Sequence, residues 1–205
     1  MSLHVLSHPL GAHVVTLLRD RHTPPAQFRA LCHQITTLLA IEATRDLATR
    51  PQEVETPLEH FTGAALAEPL AVVPVLRAGL GMVQPLVDLF PDVTVGYIGL
   101  ERDHDTALPR SYYCKLPAVE NRRVLLVDPM LATGGSAVRA LDIIAERHPR
   151  AVALLCIVAA PEGVAAVAKK HPTVPIFTAA LDRELNAKKY ILPGLGDFGD
   201  RLYGT

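Results

Sequence analysis

The chain has 205 residues, enough for one sizeable domain, and 49% of them are apolar, which excludes a disordered polymer. Its 20 basic and 21 acidic residues give a formal net charge of −1, so the basic balance of a protein that grips nucleic acid through phosphates is missing. The longest apolar run, "AVALLCIVAAP", is too short to span a bilayer, and "MSLHVLSHPLGAH" lacks the basic start and apolar run of a signal peptide.

The first predicted element is a helix with Thr23 as its N-cap and Pro24 and Pro25 following, where a missing N–H costs little. Phe28, Leu31, Ile35, Leu38 and Leu39 recur at helical spacing and carry it to about Leu47. Pro51 and Pro57 bracket a polar connection that reads as an exposed arm. Strand and helix then alternate. The run 70–76 is a strand, 78–90 a helix that Pro85 would kink, and 93–100 a strand. The polar stretch 101–110 is a loop, and 111–116 a short strand paired with part of it. A strand at 123–128, a helix at 136–148, a strand at 151–160, a helix at 162–171 and a strand at 174–180 follow. Continuous apolar strands between amphipathic helices predict an α/β fold, a mostly parallel sheet with helices on both faces. The Gly-rich, charged tail 182–205 belongs to no strand–helix unit.

Ligands of such sheets bind beyond the carboxyl ends of the strands, where Arg77, Arg102 and the stretch Asp128 to Ser136 fall. In "VLLVDPMLATGGSA" (124–137) a buried strand ends on Asp128 and runs into Thr133-Gly134-Gly135-Ser136. Glycines let backbone approach a ligand, and first-turn helix amides lack partners and favour an anion. "TGGS" by itself also fits an ordinary corner with Ser136 as a helix cap; the apolar strand and its terminal acid argue against that. An acid beside an anion site suits a ligand with a phosphate at one end and hydroxyls at the other. The tail glycines Gly194, Gly196 and Gly199 spell GxGxxG, but only six residues follow Gly199, and a dinucleotide fold needs a helix and a further acid there. Three cysteines, Cys32, Cys114 and Cys156, without CxxC spacing, read as reduced side chains of a cytosolic protein. The nine histidines show no ligand spacing, and no structural metal is expected.

The stretch "VLLVDPMLATGGSA" resembles the signature of the phosphoribosyltransferases, which use 5-phosphoribosyl 1-diphosphate (PRPP). Asp128 followed by Pro129, in place of two adjacent acids, resembles the uracil branch. "VLRAGLGM" (75–82), "YYCKLP" (112–117), "VAAPEG" (158–163) and "YILPGLGDFGDRLYGT" (190–205) match the same family, so the resemblance runs from "HPL" at 8–10 to the last residue. It implies a type I phosphoribosyltransferase-like fold in one domain, 1–205. A helical N-terminus and arm would occupy 1–68, the core sheet 69–181, and a uracil-binding hood over the base 182–205.

The implied reaction is uracil plus PRPP giving UMP and diphosphate, in the cytoplasm, in pyrimidine salvage. Asp128, Arg102 and Asp197 would be the catalytic residues. PRPP would meet Arg77, Arg102, Asp128, Pro129, Met130, Leu131, Ala132, Thr133, Gly134, Gly135, Ser136 and Asp197. Uracil would meet Ile191, Gly196, Asp197 and Phe198, largely through backbone groups. Mg²⁺ would arrive on PRPP rather than on protein side chains. No general base is evident; Asp197 could serve as one, or could contact ribose or metal. The family forms homodimers or higher homo-oligomers, and some members are activated by GTP, whose site is not legible here. Neither a nucleic acid nor a membrane partner is expected. One departure stands out: the family usually has alanine where Phe198 stands, and the ring is expected to turn into an apolar niche. Three other readings are a transferase for a different base, a non-catalytic regulator that binds RNA, and a purely structural domain. The hood tail argues against the first, the net charge against the second, and the set Arg77, Asp128 and Asp197 against the third.

Overall fold

The expected alternation of buried strands and amphipathic helices is the architecture of the protein, seen in a computed structural model that describes residues 2–102 and 109–205. The chain opens with β1 (Leu3–Val5), α1 (Pro9–Arg19) and α2 (Pro25–Ala43). An antiparallel hairpin follows, β2 (Thr49–Glu55) with β3 (His60–Leu66). Next come β4 (Leu70–Leu76), a 3-10 turn (Ala78–Met82), α3 (Val83–Leu89), β5 (Thr94–Val95), β6 (Tyr97–Arg102) and β7 (Pro109–Lys115). The second half runs β8 (Arg123–Val127), β9 (Met130–Leu131), α4 (Gly135–Ala145), β10 (Ala151–Ala159), α5 (Pro161–Lys170) and β11 (Ile176–Leu181). A small hairpin, β12 (Glu184–Leu185) with β13 (Ile191–Leu192), and α6 (Phe198–Tyr203) close the chain.

Among the described residues nine strands share one sheet, in the order β1-β11-β10-β8-β4-β6-β7, with β5 beside β4 and β9 beside β10. All pairs in it are parallel except β6 with β7. Alternation along the central strands builds two cores. Val72, Leu125, Val127 and Leu155 pack with α1, α2, α3 and α6 on one face. Val73, Leu126, Leu154 and Cys156 pack with α4 and α5 on the other. Both faces are therefore dry, which is why β4, β8 and β10 read as unbroken apolar runs.

Several boundaries differ from the sequence reading. The edge strand β1 comes from outside 69–181, and neither it nor α1 was read; a three-residue strand carries no period, and α1 opens on Pro-Leu-Gly. Pro24, not Thr23, is the N-cap of α2; the Thr23 hydroxyl instead donates to the Leu17 carbonyl at 2.7 Å. The helix expected over 78–90 divides at Met82, leaving Pro85 in the first turn of α3, where its missing N–H disturbs nothing. The strand 93–100 breaks at Gly96 into β5 and β6. Both ends of the expected loop 101–110 are strand instead, because β6 reaches Arg102 and β7 begins at Pro109; 103–108 lie outside the described residues.

The connections set the site. From β4 the chain passes through α3 to β6 on one side, and from β8 through α4 to β10 on the other. The order thus diverges between β4 and β8, where Pro74 stands opposite Val127, and ligands of such sheets bind beyond the strand ends at this kind of switch point.

Candidate active site

Asp128 is the first residue past β8, its amide donating to the Leu155 carbonyl at 3.1 Å. The residue is half-buried rather than sealed. Burial pushes its pKa up to about 7, against a hydrogen bond from the Met130 amide that favours the charged form. The Cys32 and Cys156 thiols, buried deeper, are pushed up to about 12 and are inert near neutrality.

The residues after Asp128 are held by the end of β10. The Pro129 carbonyl accepts from the Ile157 and Val158 amides at 3.0 and 3.1 Å, and the Leu131 carbonyl accepts from the Ala160 amide at 2.9 Å. Bends at Ala132, Thr133 and Gly134 then lead into α4. Gly134 is the N-cap, at φ +81, in the left-handed region that a side chain strains to enter. It supplies no side-chain cap, and Ser136 sits inside the first turn rather than capping it. The first-turn amides of α4 are therefore open to an anion, apart from a long 3.5 Å contact from the Gly135 amide to the Thr133 hydroxyl. A Cβ on Gly134 would lie 2.8 Å from the Gly163 carbonyl, and one on Gly163 2.5 Å from the Ala132 carbonyl. Gly163, in "VAAPEG", thus lets α5 press against the loop.

Arg77 follows β4 directly, at the same edge of the sheet, and is exposed. The Leu76–Arg77 peptide is cis. The turn after it lies against β8: a Cβ on Gly79 would stand 2.7 Å from the Val127 carbonyl. Leu76 is opposite Gly99, so β6 carries its chain to Arg102 at this edge too; the Arg102 side chain lies outside the described residues.

The tail covers the turn after Arg77, since a Cβ on Gly81 would stand 2.8 Å from the Leu202 side chain of α6. Gly196, at φ +84, is exposed. Asp197 is also exposed and is the N-cap of α6, one carboxylate oxygen accepting from the Asp200 amide at 3.1 Å. The side chains of Ile191 and Phe198 point into the core, 5% and 2% exposed. The Phe198 ring packs edge-on against Phe28 at 5.2 Å and 64°, with the Arg201 guanidinium 4.5 Å from the Phe28 ring centre. The structure thus brings Arg77, Asp128 and the loop to Ser136 to one edge of the sheet, with the tail packed against the turn that follows Arg77. Of Ile191 and Phe198 it leaves only backbone to face a ligand.

A cavity of about 860 Å³ opens at the opposite edge, lined by Arg123, Arg150, His148 and His171. Its cations are already matched: Arg123 with Asp46 at 2.5 Å, Arg150 with Glu68 at 3.1 Å, and Arg45 with Glu42 at 2.9 Å. It lies where strands begin, at the far side of the sheet from the carboxyl ends of β4 and β8, and is not assigned to the chemistry. Sequence reasoning missed Arg19, Asp182 and Arg201, which tie the tail down. Asp182 had a visible signal, because it ends the apolar run "IFTAALD" as Asp128 ends "VLLVD".

A family model described as Uracil phosphoribosyltransferase matches residues 5–205. A uracil phosphoribosyltransferase of Symbiobacterium thermophilum is 53% identical over 98% of this chain and 97% of its own. That of Shouchella clausii is 50% identical over 99% and 98%. A solved structure from Aquifex aeolicus superposes with a TM-score of 0.94 at 37% identity, covering 99% of this chain and 98% of that one. Purine phosphoribosyltransferase from Pyrococcus horikoshii shares the fold alone, with a TM-score of 0.53 at 14% identity over 74% of this chain and 83% of that one.

Proposed function

The chain belongs to the uracil phosphoribosyltransferase family, and from that premise we propose how its residues divide the work of making UMP and diphosphate from uracil and PRPP. It is a pentosyltransferase: uracil N1 attacks ribose C1 while diphosphate leaves from the opposite face, and C1 gathers positive charge. The first-turn amides of α4, with Thr133 and Ser136, take the ribose 5-phosphate. Asp128, once ionised, accepts hydrogen bonds from the ribose hydroxyls, while Pro129 to Leu131 hold it in register with β10. Arg77 and Arg102 grip the diphosphate through two-pronged hydrogen bonds and stabilise it as it departs. Backbone donors and acceptors from Ile191 to Phe198 read the uracil edge, and the hood shuts out water that would waste PRPP. Asp197 spends one oxygen on α6, and its other oxygen is left for ribose or for the proton of the base.

Among the described residues no group of three or more His, Cys, Asp or Glu side chains could hold a metal by itself. Asp128 nonetheless suits Mg²⁺ carried by PRPP: its carboxyl, half-buried at the strand end, offers the oxygen ligand that this hard cation takes. Mg²⁺, when bound, offsets the charge of the departing diphosphate. We place the enzyme in the cytoplasm as a homodimer or higher homo-oligomer in one domain, with 182–205 as the hood. Supporting the oligomer is the β2–β3 hairpin, which leaves Val54, Phe61 and Leu66 exposed; such a ribbon is marginal without a partner. No helix among the described residues is long and apolar enough to cross a membrane.

The observation that carries this reading is one strand end, β8, that delivers a half-buried carboxyl and then a helix N-terminus without a side-chain cap within eight residues, Asp128 to Gly135. The test is UMP formation from uracil and PRPP, with and without Mg²⁺ and GTP, against cytosine and hypoxanthine. UMP formed with uracil alone, dependent on Mg²⁺, supports it; turnover of another base would overturn it. Phe198→Ala refines the hood. Because the ring lies in the core, the variant is expected to lose about 3 kcal/mol of stability and keep the uracil KM of the parent. An altered preference among 5-substituted uracils with stability intact would put the ring in the base pocket.

A further inference from the structure

One cluster in the molecule has no role in the chemistry above yet ties directly to it. Arg19, the last residue of α1, faces Asp182, the first residue past β11, and the Asp182 side chain is 4% exposed. Arg19 Nη1 and Nη2 donate to the two Asp182 oxygens at 2.8 and 2.5 Å, a two-pronged ion pair. Arg19 Nη1 also donates to the Gly194 carbonyl at 2.7 Å, and the Gly194 amide donates to Asp182 at 2.9 Å. Both backbone polar groups of one tail residue, Gly194, are thus held by one ion pair. Gly194 and the exposed Gly196 share one turn, both in the left-handed region at φ +60 and +84. Arg201 adds ties from the hood side: it donates to the Leu18, Asp20 and Leu195 carbonyls. The carbonyls of Leu18 and Asp20 flank Arg19 at the end of α1, where a helix leaves its acceptors without partners.

We infer that Arg19 and Asp182 are positioning residues for the base half of the reaction: through Gly194 they fix the hood turn, and so the backbone groups that read uracil. Neither side chain reaches the phosphate loop, which α5 and β10 hold, and the tie from Asp182 to β10, its amide donating to the Ala159 carbonyl at 2.8 Å, is a backbone bond that a side-chain substitution leaves in place. Loosening the pair should therefore move uracil recognition and leave PRPP recognition alone. A pair that serves folding only would change melting temperature without that split. The inference rests on the reading that the hood holds uracil.

The experiment measures KM for uracil and for PRPP separately, with melting temperature, in Arg19→Lys and Asp182→Asn. Lysine keeps the charge but loses the fork, and asparagine keeps the shape but loses the charge. Each is expected to raise the uracil KM about tenfold, as for loss of a charge-assisted contact, while the PRPP KM stays within about twofold. Arg19→Lys should be the milder, since one donor can still reach the carboxylate. Equal shifts in both KM values, no shift in either, or failure of both variants to fold would overturn the inference. Gly196→Ala, measured alongside, separates the two ideas. If it raises the uracil KM while the Arg19 and Asp182 variants do not, the anchor is wrong and the hood reading stands. If it too leaves the uracil KM unchanged, the hood reading itself fails.

Discussion

Asp128→Asn is expected to lower kcat/KM for PRPP by roughly tenfold or more with the fold intact, the loss of one charge-assisted set of hydrogen bonds. Asparagine fits the same space and keeps one acceptor, but cannot draw the ribose hydroxyls as a carboxylate does. The carboxyl also predicts a pH dependence. Its folded pKa of about 7 lies above the ordinary 3.8, so the free enzyme holds Asp128 protonated in weak acid. Use of PRPP should fall as pH drops below about 7, and the variant should lose that limb of the profile. Stability runs the other way. A raised folded pKa contributes stability that is full below 3.8 and lost as pH rises through about 7, because the fold must then bury a charge. Without ligand, Asp128→Asn should therefore be at least as stable as the parent at pH 8. Parental kinetics in the variant, or a flat parental profile from pH 6 to 8, would remove Asp128 from the site.

Gly134→Ala should be the most damaging single methyl in the loop. The backbone there sits at φ +81, and the new Cβ would meet the Gly163 carbonyl at 2.8 Å and the Ala166 side chain at 2.9 Å. The left-handed conformation alone costs a side chain about 1–3 kcal/mol. The neighbours are backbone and a short side chain on α5, so the loop must shift rather than the obstacle. A shift of about 1 Å at a positioning group can lower rate about a hundredfold, and the loss should appear in PRPP binding and turnover together. Gly163→Ala pushes on the same loop from the other side, against the Ala132 carbonyl, and should act alike. A normal PRPP KM in both variants would show that the 5-phosphate is held elsewhere.

The sequence showed the central sheet well because β4, β8 and β10 are buried on both faces and read as apolar runs that nothing else explains. Asp128 and the loop to Ser136 were legible for the same reason: polar and glycine residues interrupt the pattern at a strand end. The hood was legible only through resemblance, since β12, β13 and α6 are too short to carry a period. Arg19 and Asp182 were hidden because their partnership spans 163 positions and depends on α1, a helix that opens on Pro-Leu-Gly. The direction of Phe198 was an open question of packing, answered by Phe28 on a helix 170 residues earlier.

The central claim is that catalysis sits beyond the carboxyl ends of β4 and β8, under the hood, and not in the cavity of about 860 Å³ at the opposite edge. Backbone hydrogen exchange, read residue by residue with and without saturating UMP, tests it most directly. The account predicts slowed exchange at the amides of 132–137 and 191–198, with those of Arg123, Arg150 and His171 unchanged. Protection at Arg123, Arg150 and His171, with the loop and hood unaffected, would contradict it.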